Sequence, residues 1–258
     1  MTASPDGLRV LDLGRLSYAQ AYRVQVEHVE AVLAARTAGA PVVGHLLLVE
    51  HDPVITVSRR PGAGSHLLAT PEILARLGVS VEETDRGGDI TYHGPGQLVA
   101  YPILDLNYLN LGLHAYMRLL ESVVIDACDR WEVRGRRDPT ATGVWVERGG
   151  QAAKIAAMGV RVRKWVSMHG LSLNVNPNMH HFDLIVPCGL AGRAVTSLEA
   201  ECRAAGRAAP SMADAKLAII GSMTHAVGQA RDQAIESRAA VTDTLPRTDS
   251  GSTQSRWP

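Results

Sequence analysis

The stretch Val42 to Glu50, VVGHLLLVE, limits the fold of this chain more than any other, because it is almost unbroken in apolar residues. A strand wetted on one face would alternate, so this run suits a strand buried inside a sheet. Its neighbours supply the rest of the layering. Leu8 to Leu13 alternates weakly and reads as a first strand. Ser17 is a helix N-cap, and Tyr22, Val26, Val29 and Leu33 recur at helical spacing as far as about Arg36, before Gly39-Ala40-Pro41 breaks the chain. Val54 to Val57, Val79 to Thr84 and Leu98 to Leu104 read as further strands, with an exposed loop over residues 58–70 and a short helix opening at Thr70-Pro71. A second amphipathic helix runs from about Leu113 to Trp131. Gly143 to Glu147 and Lys154 to Leu173 read as strands joined by a Gly149-Gly150 turn. Ser211 to Asp214 forms a capping-box pattern before a last helix, apolar at Met212, Ala215, Ile219, Met223 and Ala226. The order predicts one α+β domain over residues 1–230, a mixed β-sheet flanked by helices in an α/β two-layer arrangement. Residues 231–258 are polar, cannot bury enough surface to offset their ordering entropy, and read as a disordered tail.

Charge and cysteine usage narrow the function. The formal net charge is zero, which gives no chain-wide electrostatic case for nucleic acid or an anionic membrane. No apolar run approaches the roughly 18 residues of a membrane span, and the N-terminus lacks signal-peptide regions, so a cytoplasmic protein is expected. Cys128, Cys188 and Cys202 are odd in number and widely spaced, which argues against a disulfide framework or a Cys-x-x-Cys zinc site. There are only three lysines, Lys154, Lys164 and Lys216. Because arginine is never deprotonated in proteins, the candidate catalytic amines are few.

Three segments carry polar chemistry. Arg86-Gly87-Gly88-Asp89-Ile90-Thr91-Tyr92-His93-Gly94-Pro95-Gly96-Gln97 holds four glycines, which are costly to order unless backbone must approach a ligand or turn tightly; a long hairpin turn is the plainer alternative. Lys154 lies among small apolar residues, Ala152 to Gly159, which leave room for a ligand beside the amine; on a regular strand Ala152 and Ala156 share its face. An apolar setting disfavours an ammonium and suits a general base, while a lysine at a strand edge with its head in water is the ordinary alternative. In Pro187-Cys188-Gly189 a rigid corner projects a thiol beside backbone amides, and a small buried hydrophobe is the ordinary alternative. Cys128 and Cys202 carry only that last reading. His180-His181 lacks a third ligand at suitable spacing and reads as surface.

Together these segments resemble the lipoyl(octanoyl) transferases, the octanoyl-[acyl-carrier-protein]:protein N-octanoyltransferases. The resemblance is carried by RGGDITYHGPGQLVAYPILDL (86–106), GVWV (143–146), KIAAMGVRVRKWVSMHGLSLNV (154–175), FDLIVPCG (182–189) and TSL (196–198), in order, and covers roughly residues 8–225. It implies the catalytic fold shared with biotin and lipoate ligases. It implies that Cys188 carries an acyl thioester and that Lys154 lowers that thiol's pKa. It further implies that Arg86, Gly87, Gly88, Asp89, Ile90, Thr91, Tyr92 and His93 form a substrate-binding loop, and that Ala157, Met158, Gly159, Gly170, Leu171 and Ser172 contact the acyl chain. Ser172 departs from the alanine of many members, which bears on chain length. No ATP, metal or other cofactor is expected, since a thioester donor is already activated. The implied partners are octanoyl-acyl carrier protein, the lipoyl domains of 2-oxoacid dehydrogenase E2 subunits and the glycine cleavage H protein. Arg59, Arg60, Arg134, Arg136 and Arg137 are candidates for a docking patch. An ATP-dependent lipoate or biotin ligase, a cysteine hydrolase using His93 or His169, and a reversible acyl-binding module are the rivals.

Overall fold

A computed structural model of the chain describes residues 2–3, 7–187 and 192–244. The strands are β1 (Thr2–Ala3), β2 (Leu8–Leu16), β3 (Gly44–His51), β4 (Val54–Ser58), β5 (Ser80–Thr84), β6 (Ile90–His93), β7 (Gln97–Leu104), β8 (Gly135–Arg137), β9 (Val144–Arg148), β10 (Gln151–Arg163), β11 (Val166–Asn174) and β12 (Ala194–Val195). The helices are α1 (Tyr18–Thr37), α2 (Pro71–Leu77), α3 (Leu113–Asp129), α4 (Leu198–Ala204) and α5 (Met212–Thr244), with 3-10 turns at Ala63–His66 and Met179–Leu184.

Among the described residues the strands form a large mixed sheet, ordered β1-β2-β3-β7-β11-β10-β9-β8 with β12 also paired to β10, and a small sheet ordered β5-β4-β6. The apolar run predicted to be a buried strand is β3, next to β7 near the middle of the large sheet. Both strands are covered on both faces. Leu46, Leu48, Leu98, Ala100 and Leu104 pack against α3 and α5, whereas Leu47, Val49, Val99, Tyr101 and Ile103 pack against α1. That is why neither strand alternates in sequence. A third apolar cluster, including Ile55, Ile90, Tyr92, Phe182 and Ile185, joins the small sheet to the turn at Met179–Leu184.

Local signals place most boundaries. Ser17 and Gln20 form a reciprocal capping box at α1, and Ser211 and Asp214 exchange the equivalent bonds at α5. Three expectations are corrected. The buried face of α1 is Tyr18, Ala21, Gln25, Val29 and Val32, with Val26 exposed. Gln25 tolerates the core because its Oε1 accepts the backbone N–H of His169 at 2.8 Å. The segment 154–173 is two strands rather than one. Lys164 and Trp165, at φ 50° and 60°, make a two-residue turn that carries no Gly or Asn signal. The boundary expected at residue 230 falls inside α5, which continues to Thr244. Ala230 and Ala234 are buried there, and the Arg238 guanidinium donates to the carbonyls of Asn107 and Tyr108. Residues 245–258 of the expected tail lie outside the described residues.

Gly159 and Gly170 face each other across β10 and β11. A Cβ on Gly170 would stand 2.3 Å from the Ala100 carbonyl oxygen, and one on Gly159 would stand 2.7 Å from that of Gly87. Neither neighbour is a flexible side chain, so overpacking must move backbone. Gly170→Ala is expected to lower unfolding free energy by about 1–3 kcal/mol, read from the urea midpoint; an unchanged midpoint would contradict this packing.

Candidate active site

Lys154 and most of the described residues singled out in the sequence meet on the α1 face of the large sheet, beneath the small sheet. Strand β10 arranges this through a bulge between Lys154 and Ala156, where its pairing with β9 shifts by one residue. Beyond the bulge, Ala156, Met158, Val160 and Val162 turn toward the α3/α5 core, and Ala157 and Gly159 turn toward the cavity on Lys154's side. The face-mate expected for Lys154, Ala156, is therefore replaced by Ala157. Lys154 is 6% exposed. Its cross-strand neighbour is Trp145 on one edge and Val195 of β12 on the other. Its Nζ lies 4.7 Å from the Trp145 ring centroid.

Two cavities share Thr91, Ala157 and Ser172 as a common wall. The first is lined by Tyr18, Arg86, Gly88, Asp89, Ile90, Thr91, His93, Val99, Tyr101, Ala157, Met158, Gly159, His169, Gly170, Leu171 and Ser172. The second holds Lys154 with Gln97, Asn174, Phe182, Pro187 and Val195. Of the residues named from sequence, Gly87 and Tyr92 line neither. Gly87 is exposed and binds the loop to β10 through its N–H and the Val160 carbonyl (2.9 Å). Tyr92 faces the small-sheet core, and its hydroxyl meets His181 Nδ1 at 2.7 Å. His181, expected to be a surface residue, thereby helps fix the turn that precedes Pro187. Cys188 lies outside the described residues. Cys128 and Cys202 are buried. Burial pushes the Cys128 thiol up to about 12 and raises that of Cys202, so neither is suited to act as a thiolate.

The Gly-rich loop is held by its own polar groups. Arg86 Nη2 donates to the Thr56 carbonyl (3.0 Å), the Thr56 hydroxyl (2.9 Å) and the Asp89 carbonyl (3.1 Å). Asp89 accepts from His66 Nδ1 at 2.6 Å and from the Ile90 N–H at 2.8 Å. At the far end of the first cavity His169, at φ 59°, donates from Nε2 to Asp85 (2.8 Å), which also accepts from Tyr22 (3.0 Å) and Arg161. Burial alone would raise the Asp85 carboxyl. The hydrogen bonds from His169 and Tyr22, with the charges of His169 and Arg161, outweigh burial and hold it below its ordinary value. Of the candidate docking arginines, Arg59 pairs with Glu83, Arg60 approaches Asp89, Arg136 pairs with Glu147 and Arg137 with Glu121, so much of that charge is met locally.

A directed chain of bonds crosses from the small sheet to α4. Gln97 Nε2 donates to Asn174 Oδ1 (2.9 Å) and to the Tyr92 carbonyl (3.2 Å), so Gln97 Oε1 must accept from His93 Nδ1–H (2.6 Å). Asn174 Nδ2 donates to the Thr196 carbonyl (2.9 Å), the Thr196 hydroxyl donates to Glu201 (2.5 Å), and the Thr196 N–H donates to the carbonyl of Lys154 (2.9 Å). His93 is thus fixed as the Nδ1–H tautomer, with Nε2 an acceptor. Burial, then the neighbouring His51, lowers its pKa to about 3. His51 donates from Nδ1 to the Leu16 carbonyl and accepts the Tyr101 hydroxyl at 2.7 Å, and burial lowers it to about 4. Sequence reasoning missed Tyr18, His51, Asp85 and Glu201. Gln97, Tyr101, Asn174 and Thr196 lay within quoted motifs without an assigned role.

Against this geometry, residues 21–224 match the lipoyl protein ligase A/B catalytic domain family. The chain belongs to that family, within its octanoyltransferase branch. It is 43% identical over 198 residues to the octanoyltransferase of Parabacteroides distasonis, covering 76% of this chain and 89% of that one. With the octanoyltransferase of Solibacter usitatus the identity is 47% over 189 residues, covering 73% and 80%. Among solved structures it is similar to the bi-partite lipoate protein ligase of Thermoplasma acidophilum (TM-score 0.62, 12% identity, 89% of this chain and 90% of that chain). It is likewise similar to lipoate-protein ligase A bound with ATP (TM-score 0.61, 11% identity, 89% and 92%). These two likenesses confirm the predicted ligase-type fold. Among the described residues no helix is long and apolar enough to cross a membrane.

The buried neutral histidines make a pH prediction. His51 and His93 are uncharged in the folded state and titrate near 6.5 when unfolded, so the unfolded state binds more protons below that pH. Stability should be level above about pH 6.5 and fall as pH drops toward 4, by up to about 1.4 kcal/mol per pH unit for each histidine. Urea denaturation at pH 7 and pH 5 checks this; equal stabilities would mean that these rings are not held neutral.

Proposed function

We propose that this protein transfers an octanoyl group from octanoyl-acyl carrier protein, through a thioester on Cys188, to a lysine ε-amine on lipoyl domains. Acceptors of this class are the E2 subunits of 2-oxoacid dehydrogenases and the glycine cleavage H protein. Membership of the octanoyltransferase branch supports the reaction. The observation that carries the residue assignment is the lysine cavity: Lys154 is buried within it, Pro187 forms part of its wall, and Cys188 is the next residue in the chain. The adjoining cavity, with Val99, Tyr101 and Ala157 on its walls, is the natural place for an eight-carbon chain. Ser172 stands where the two cavities meet, so its hydroxyl falls close to the reacting end rather than the chain's tip.

The chemistry balances with these groups alone. The Cys188 thiolate, facing a Lys154 ammonium, attacks the donor's thioester carbonyl; the new C–S bond forms as the carrier's C–S bond breaks. The departing carrier thiolate takes a proton from Lys154, which becomes a neutral amine. The acceptor lysine, as a free amine, then attacks the acyl-Cys188 carbonyl. The nitrogen loses its proton to Lys154 as the C–S bond breaks, restoring ammonium and thiolate. No ATP or metal is required in this scheme, and His93, neutral with its Nδ1–H committed to Gln97, shapes the pocket.

Intact-mass analysis of the protein mixed with octanoyl-carrier protein tests the reading. An adduct of one octanoyl group, absent from Cys188→Ala, is expected. No adduct, transfer that survives Cys188→Ala, or transfer from free octanoate that depends on ATP would overturn it. In the same assay Lys154→Met is expected to slow acyl transfer by about a hundredfold or more, and a variant within threefold of the parent would remove Lys154 from the mechanism.

A further inference from the structure

Trp145 has no place in the scheme so far, yet it is wholly buried beside the site and touches two cations. One is Lys154, 4.7 Å from Nζ to the ring centroid. The other is Arg193, whose Cζ lies 3.8 Å from the same centroid. The ring itself is fixed at its edge and through Arg193. Its Nε1–H donates to the Ala141 carbonyl (3.1 Å). Arg193 Nη2 donates to Asp138 (2.5 Å), and Asp138 accepts from the Thr140 N–H and hydroxyl at 2.8 and 2.6 Å. These bonds hold Asp138 in its charged form, the Thr140 hydroxyl most of all, followed by Arg193.

We propose that Trp145 is a positioning residue for the acyl transfer, its indole face fixing where the Lys154 ammonium sits and coupling it to Arg193. The proposal rests on the Cys188–Lys154 reading above. Lysine carries four rotatable bonds and about 2 kcal/mol of rotamer entropy, so an amine that must both face a thiolate and pass a proton needs its head held. A carboxylate would hold it, but would offset the charge the thiolate needs. An aromatic face attracts the cation through its quadrupole and adds no formal negative charge. The sheet makes this geometry reproducible: Trp145 and Lys154 are direct cross-strand partners, so their side chains rise from the same face of adjacent strands.

The test replaces the indole's electrostatics without changing its shape. The protein is produced with tryptophan, then with mono-, di- and trifluorotryptophan, and the transfer rate, the KM for octanoyl-carrier protein and the alkylation rate of Cys188 by iodoacetamide are measured. Fluorination drains the ring face stepwise. Expected is a graded fall in kcat and alkylation rate, about tenfold across the series, with KM unchanged. Trp145→Phe, which keeps a weaker and unfluorinated aromatic face, should abolish the gradient, because Trp131, Trp165 and Trp257 would then carry the only fluorines. A flat series, or a gradient that persists in Trp145→Phe, overturns the positioning role while leaving the thioester reading intact. If unsubstituted protein forms no octanoyl adduct at Cys188, the thioester reading fails first and takes this role with it.

Discussion

Strand β10 cannot stay regular and still present Lys154, Ala157 and Gly159 to one side of the sheet. Side chains of a strand alternate, so residues three apart face opposite ways unless one residue is spent on a bulge. The register shift between Lys154 and Ala156 spends it. The first half of β10 is then flanked by β9 and the short β12, and the second half by the long β11 and, at Val160, the Gly87 N–H. The lysine therefore sits where the sheet changes partners, with β12 bringing Val195 beside it. The rest of the site is referred to this point: β11 supplies Gly170 and Ser172 opposite Gly159 and Ala157, and the Lys154 carbonyl receives the Thr196 N–H.

A second constraint is the density of polar groups under the small sheet. His51, His93, Gln97, Asn174 and Thr196 are all buried, and each would be costly there without a partner. From His93 to Thr196 the structure meets the cost with bonds whose direction is fixed at each joint, ending on the carboxylate of Glu201, while His51 is met by the Leu16 carbonyl and the Tyr101 hydroxyl. A network of this kind has few alternative arrangements. Burial, acting against these bonds, keeps the His51 and His93 rings neutral.

The fold was largely legible because its signals are local or compositional. The unbroken apolar run named the central strand, and Ser17 and Ser211 named two helix starts. What escaped did so for physical reasons. The Lys164-Trp165 turn uses residues without a turn preference, and its geometry is imposed by the pairing of β10 with β11. Gln25 looked like a surface residue because its partner, the His169 N–H, is 144 positions away in sequence. The bulge has no sequence mark at all, so the lysine's true face-mate could not be read. The motifs located Lys154 and most of the pocket wall, but contiguity misled at Gly87, which lies exposed before β6, and at Tyr92, whose side chain enters the small-sheet core. Tyr18, Tyr101 and His51 come from three other elements and become neighbours only when α1, β3 and β7 are stacked.

The facing glycines Gly159 and Gly170 have a consequence for how this pocket can be altered over time. Backbone oxygens already fill the space where their side chains would begin, so both positions are closed to every other residue unless strands move. Variation of this cavity is left to walls whose side chains lie on its face of the sheet, among them Val99, Tyr101, Ala157 and Ser172. Ser172 and Thr91 bring hydroxyls to the junction of the two cavities, so a single-atom difference at either position is felt where the two spaces meet.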